Sequence, residues 1–287
     1  MKNLSAIFGL VALLLSGCQQ PTEVRLTPAD NLTNLEVTAV VLPDTTVTTV
    51  PVDSSGVLPS DRKIYGGIFM INKVTLDFGS GVSSFAYSQG ALTNVDSAIR
   101  IGDHDYFRGL FLGIVLLNGF PMERHLRLVP VWSSLVDFGW EYGSTLSSTW
   151  APNQLYTWTA SPITMGILNL SIRTPEDLTV QAPLGGAVIL RDQDLALRWK
   201  GQGTISIIVS SYDRLTNKSK PLLQLKPRLN SGYAVFPAKL LSTLEPRREY
   251  VFTFILSNRK EMTVVQQYTG KILVQAASIY NTHVSLR

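Results

Sequence analysis

Four segments in the second half of the chain alternate apolar and polar residues: Leu195, Leu197 and Trp199; Ile205, Ile207 and Val209; Tyr250, Phe252, Phe254 and Leu256; Ile272, Val274 and Ala276. A period of two puts every second side chain on one face of an extended strand. Segments of this kind, separated by turn residues, bury one face against a second layer, so the pattern predicts an antiparallel β-sandwich. A hydrophobic content of 45% against 16% charged residues supplies a core for it and excludes general disorder.

The first half reads the same way with more interruptions. Leu35, Val37 and Ala39 and then Val47, Val50 and Val52 flank Leu42-Pro43-Asp44-Thr45, which predicts a turn between two Val/Thr-rich strands. Ile68, Met70, Val74, Leu76 and Phe78 predict a strand pair over residues 66–78, and Gly79-Ser80-Gly81 a turn. A short helix competes over residues 91–100. From Tyr106 to Phe120 an apolar run is broken by Gly109, Gly113 and Gly119, each costing about 1 kcal/mol inside a helix, so a buried strand with bends or bulges is expected. Leu126, Leu128, Val129 and Val131 alternate imperfectly across Pro130, which marks an edge strand or a bulge.

The N-terminus is of a different kind. Lys2 precedes an apolar run from Leu4 to Leu15, too short for a membrane-spanning helix of roughly 20 residues and shaped like an export signal. Leu15-Ser16-Gly17-Cys18 closes the run with the only cysteine in the chain. This stretch resembles the lipobox of bacterial lipoproteins. The resemblance implies that residues 1–17 are removed and that Cys18 carries the acyl chains, anchoring the protein to a membrane of the bacterial cell envelope. Gln19, where an inner-membrane lipoprotein often has Asp, implies the outer membrane. Residues 18–34 are rich in Pro, Thr, Glu, Asn and Asp and read as a tether. A lone cysteine also excludes a disulfide framework within the chain.

Leu244-Glu245-Pro246-Arg247-Arg248-Glu249-Tyr250 resembles the Leu-x-Pro-x-x-x-Tyr element of fibronectin type III domains, and Trp199 stands where such domains keep a core tryptophan. The resemblance implies an Ig-like sandwich over residues 175–287, in which the leucine plugs the core and the tyrosine hydroxyl bonds back to the backbone. Residues 213–232 are a longer polar interval than a minimal domain of that type needs. Arg173-Thr174-Pro175-Glu176-Asp177 reads as a boundary, so the expectation is all-β: two tandem β-sandwiches, residues 35–174 and 175–287, behind a lipidated tether.

Chemistry is sparse. The formal charge of +4 includes Lys2, and the remaining cations are dispersed, which argues against nucleic acid. Asp103-His104-Asp105 holds three candidate metal ligands, but on a strand the two carboxylates and the imidazole face opposite ways, so it reads as a polar loop. Glu123 with His125, and Asp137 with Glu141, are the acid/base pairs by composition alone. No nucleophile elbow, zinc-binding His-Glu-x-x-His, phosphate loop or dinucleotide fingerprint occurs. No cofactor, metal or catalytic residue is therefore assigned.

Four of the five tryptophans fall at Trp132, Trp140, Trp150 and Trp158. Trp140 with Tyr142, and Tyr156 with Trp158, are spaced to share a strand face. Either these rings fill the first domain's core, or they form an exposed row that stacks on sugar rings or takes a partner's apolar surface. The function expected is a non-catalytic binding or structural module of the envelope, with a protein or envelope component as partner. Glycan binding or processing through the aromatics is the alternative.

Overall fold

The computed structural model describes residues 35–39, 65–101, 104–131, 134–145, 150–161, 166–216, 218–263 and 271–287. The lipobox at residues 15–18, the tether, the strand expected at residues 47–52, Trp132 and Asp103 of the Asp-His-Asp cluster lie outside them. The described chain opens with β1 (Leu35–Ala39), β2 (Gly67–Asp77), β3 (Val82–Ile101), β4 (His104–Gly109), β5 (Val115–Leu117), β6 (Phe120–Pro121) and β7 (Glu123–Val131). It continues with β8 (Ser134–Thr145), β9 (Leu155–Ala160), β10 (Leu168–Arg173), β11 (Thr179–Ala182) and β12 (Val188–Ile189). Next come β13 (Leu195–Lys200), β14 (Thr204–Asp213), β15 (Lys218–Pro227), β16 (Tyr233–Phe236), a single helical turn α1 (Ala238–Leu241), β17 (Glu249–Thr263) and β18 (Lys271–Leu286). The all-β expectation holds.

One eleven-stranded sheet runs through both halves in the order β1-β15-β14-β17-β18-β2-β3-β4-β8-β7, with β12 also beside β18. A four-stranded sheet, β10-β9-β5-β6, and a three-stranded sheet, β11-β13-β16, accompany it. Both small sheets cover the same face of the long one. On β18 the side chains Ile272, Val274 and Ala276 enter the core under the four-stranded sheet. Tyr280, Val284 and Leu286 enter the core under the three-stranded sheet. All are even-numbered positions of one regular strand, hence one face. The result is two sandwiches side by side that share a common sheet, joined across the segment 174–178, where Thr174 and Pro175 are buried.

Long-range pairing explains where local reading differs from the structure. The strand pair expected over residues 66–78 is the single strand β2, which pairs antiparallel with β3 and parallel with β18. That parallel junction joins sequence-distant strands and leaves no local signal, whereas only antiparallel pairing had been expected. No helix forms at residues 91–100, because β3 continues there, paired to β2 as far as Leu92 and to β4 beyond. Tertiary pairing overrides a weak local preference. The run from Tyr106 to Phe120 is not one strand but β4, β5 and β6, separated where Gly113 (φ 71°), Asn118 (φ 49°) and Gly119 (φ 83°) turn the backbone left-handed. The long polar interval at residues 213–232 is the β14–β15 hairpin with the extra strand β15. As expected, β7 is the sheet edge, with a register shift between Leu126 and Leu128.

The elements carrying the type III resemblance take the places it implies. Trp199 and Leu244 are buried in the C-terminal core, and the Trp199 Nε1–H donates to Asn230 Oδ1 at 2.7 Å. The Tyr250 hydroxyl donates to the Glu245 carbonyl at 2.9 Å. A polar latch near the middle of the long sheet ties β2 to the turn before β12. The Asp77 carboxylate accepts the Gly79 N–H at 3.0 Å, the Gly185 N–H at 2.9 Å and the Tyr280 hydroxyl at 3.3 Å.

Candidate functional site

Two glycines build the site. β4 and β8 touch in parallel at one pair, Gly109 and Gly139. A Cβ on Gly109 would overlap the Trp140 backbone and one on Gly139 the Gly109 carbonyl, and Gly139 has φ 76°, so only glycine lets the chains cross this closely. The Gly139 N–H bonds Asp137 Oδ1 at 2.6 Å, and Arg108 pairs with the same carboxylate. The Gly139 N–H, together with Arg108, holds the Asp137 carboxyl below its usual range against some desolvation.

Past the crossing, residues 110–112 lie along β8. Leu112, fully buried, donates its N–H to Tyr142 Oη at 2.8 Å. Phe111 is thereby set edge-on against Trp140, ring centroids 5.7 Å apart. From β7 the Arg124 guanidinium reaches over both rings, its carbon 5.0 Å from the Phe111 centroid and 4.8 Å from that of Trp140. Leu126, opposite Trp140 in the register, continues the patch. Phe111 is 47% and Leu126 41% exposed, and Arg124 is exposed as well. Leu128 and Leu135 extend the apolar surface along the same edge.

Among the described residues the aromatics do not form an exposed row. Tyr142, Tyr156 and Trp158 are buried to 1% exposure or less, and only Trp140 is half-buried. The reason is the four-stranded sheet, whose β9 turns Tyr156 and Trp158 inward against β2 and β3. Trp158 donates its Nε1–H to Ser88 Oγ at 3.2 Å and meets Phe69 edge-on at 6.1 Å. Tyr156 Oη accepts the Ala151 N–H at 3.2 Å. Burial raises the hydroxyl pKa of both Tyr142 and Tyr156. Three of these four residues serve the core, and the glycan reading keeps Trp140 alone. Trp150 instead ties down the segment that joins the two sandwiches, through Asp177, 3.0 Å from its Nε1.

Of the acid/base pairs, Asp137 and Glu141 are taken up by different partners. Asp137 is held by Arg108 and Gly139, while Glu141 accepts from Gln89 Nε2 at 3.4 Å. Glu123 and His125 are 3.6 Å apart, but both stand exposed on the edge strand. Among the described residues no group of three or more His, Cys, Asp and Glu side chains is placed to hold a metal ion. None of the described helices is long and apolar enough to cross a membrane. Sequence reasoning missed Phe111, Arg124 and Leu126. Phe111 sat in an apolar run read as core, and Arg124 read as one scattered cation. The available signal was Arg124 and Leu126 two apart on a segment already marked as an edge by Pro130.

No family model matches the chain, and no curated protein does. Among solved structures it is similar to a three-Ig structure of titin domains I67–I69 in an E-to-A mutated variant, at 7% identity and a TM-score of 0.16. That likeness covers 77% of this chain and 64% of the titin chain, so this chain spans less than two thirds of that neighbour's length.

Proposed function

We propose that this protein is a lipid-anchored, non-catalytic binding module of the bacterial cell envelope, held at the outer membrane through acylated Cys18 and engaging a partner protein at the β7 edge. The observation that carries the reading is the placement of the two sheet edges. The chain enters the described sheet at β1, one edge, and the patch of exposed Phe111, Arg124 and Leu126 with half-buried Trp140 lies at the other. At about 4.8 Å per strand spacing the two are about 40 Å apart along the sheet. A tether entering at β1 leaves the β7 edge clear of the attachment point. An edge strand flanked by half-exposed apolar and aromatic side chains is the kind of surface on which another chain adds a strand or packs a hot-spot residue.

The experiment has two arms. Palmitate labelling and membrane fractionation of wild type and Cys18→Ala test the anchor; a Cys18→Ala protein that still incorporates palmitate and pellets with membranes defeats it. A photo-crosslinking residue at position 126, compared with one at Leu215, which is 96% exposed on the β14–β15 turn, tests the edge. Discrete adducts from position 126 alone are expected, and equal adducts from both positions would defeat the edge reading.

A further inference from the structure

We propose that the Arg124 corner is a carboxylate receptor, and that the segment it takes is an extended acidic peptide lying along β7. The proposal deepens the binding-module reading and rests on it for the location of the partner. Its chemistry comes from three features. First, the guanidinium lies in the angle between two rings that are themselves fixed, Phe111 by the Leu112–Tyr142 bond and Trp140 by its position in β8. An arginine so held has its planar fork pre-oriented, which favours paired hydrogen bonds to a carboxylate over any contact a flexible ammonium would make.

Second, the positive charge is unspent. Among the described residues Arg124 makes its contacts with rings and forms no ion pair, whereas Arg108, Arg214 and Arg248 are each paired with a carboxylate. The acidic neighbour Glu123 is turned to the other face of the strand, together with His125, so it neutralises little on the Arg124 side. Third, β7 pairs only with β8 among the described residues, so every second N–H and C=O of the strand points outward. An added strand would satisfy those groups and, with its own period of two, place a carboxylate at Arg124 and an apolar side chain at Leu126. The register shift beyond Leu126 and Pro130 limit the pairing to the first half of β7, so the recognised segment is short.

The probe is a blocked heptapeptide of sequence Thr-Thr-Glu-Thr-Val-Thr-Thr, whose Glu and Val stand two apart on one face, and its counterpart with Gln in place of Glu, titrated into the full lipidated protein in detergent micelles. Tryptophan fluorescence reads binding, and hydrogen exchange reads the β7 amides. The acidic peptide is expected to bind at least tenfold tighter than the Gln peptide, to weaken as salt rises, and to slow exchange in β7. Arg124→Gln should erase the tenfold preference, and Arg124→Lys should recover only part of it, since a point charge cannot make the paired bonds. Arg124 is exposed, so far-ultraviolet circular dichroism of Arg124→Gln should match wild type and exclude misfolding. Equal binding of both peptides, no binding of either, or a preference that survives Arg124→Gln would overturn the inference. Those outcomes leave the palmitate and position-126 results untouched, so failure here is distinguishable from failure of the binding-module reading.

Discussion

Replacing Tyr142 by Phe removes one oxygen from a side chain that is 1% exposed, leaves the ring in place, and takes away the acceptor of the Leu112 N–H. Leu112 is itself fully buried, so water cannot replace the lost oxygen. The cost is that of a buried donor left unsatisfied, about 1–3 kcal/mol, with little offset because the phenyl ring fills the same volume. Urea unfolding followed by tryptophan fluorescence should show a lower midpoint with an unchanged slope. Hydrogen exchange should show the Leu112 amide opening faster than amides of β17, which belong to the neighbouring sandwich. Because the Leu112 bond sets Phe111 against Trp140, the same variant should loosen the Arg124 corner. A Tyr142→Phe protein of wild-type stability, with Leu112 still protected, would refute the reasoning and reopen the possibility that the hydroxyl faces a ligand.

Gly139→Ala meets the Gly109 carbonyl at φ 76° and should cost about 1–3 kcal/mol, read as a lower melting temperature together with weaker binding at β7. Tyr250→Phe loses the bond to the Glu245 carbonyl and should lower the urea-derived unfolding free energy by about 0.5–1.5 kcal/mol with the fold intact by circular dichroism. The Tyr280 hydroxyl is pushed up to about 12, mainly by burial and then by the Asp77 charge. A raised phenol pKa favours the folded state while the group is neutral, so this contribution is full below pH 10 and is lost as pH rises towards 12; Tyr280→Phe should remove that alkaline slope. His283, packed against Phe78 and Tyr212, has its pKa lowered chiefly by burial. Its contribution is present above pH 6.5 and falls away as pH drops, so melting curves of His283→Gln should show a shallower acid limb between pH 7 and pH 5.

The legible part of the fold was the part governed by strict alternation. β13, β14, β17 and β18 bury one face so regularly that Leu195, Ile207, Phe252 and Val274 announce their strands without help. Leu244 and Tyr250 were legible because a corner needs particular residues at fixed spacing. β2 and β18, by contrast, lie about 200 residues apart in sequence yet pair in parallel through eleven register positions, and no local pattern encodes which strand a buried strand will choose. The aromatics illustrate the same limit. Spacing put Tyr142 and Trp140 on one face of β8 correctly, but whether that face meets solvent depends on the four-stranded sheet, whose strand order is set by contacts between β9 and β5 across nearly forty residues. The Arg124 corner was illegible for a related reason: its three side chains come from a loop, an edge strand and the strand beside it, and only the Gly109–Gly139 crossing brings them together.

The anchor at Cys18 is tested by the intact mass of the protein extracted from bacterial membranes. The expected mass is that of a chain that lacks residues 1–17, begins at Cys18 and carries acyl chains on that residue. An unacylated chain that keeps residues 1–17, or one cleaved elsewhere with an unmodified Cys18 thiol, would contradict it.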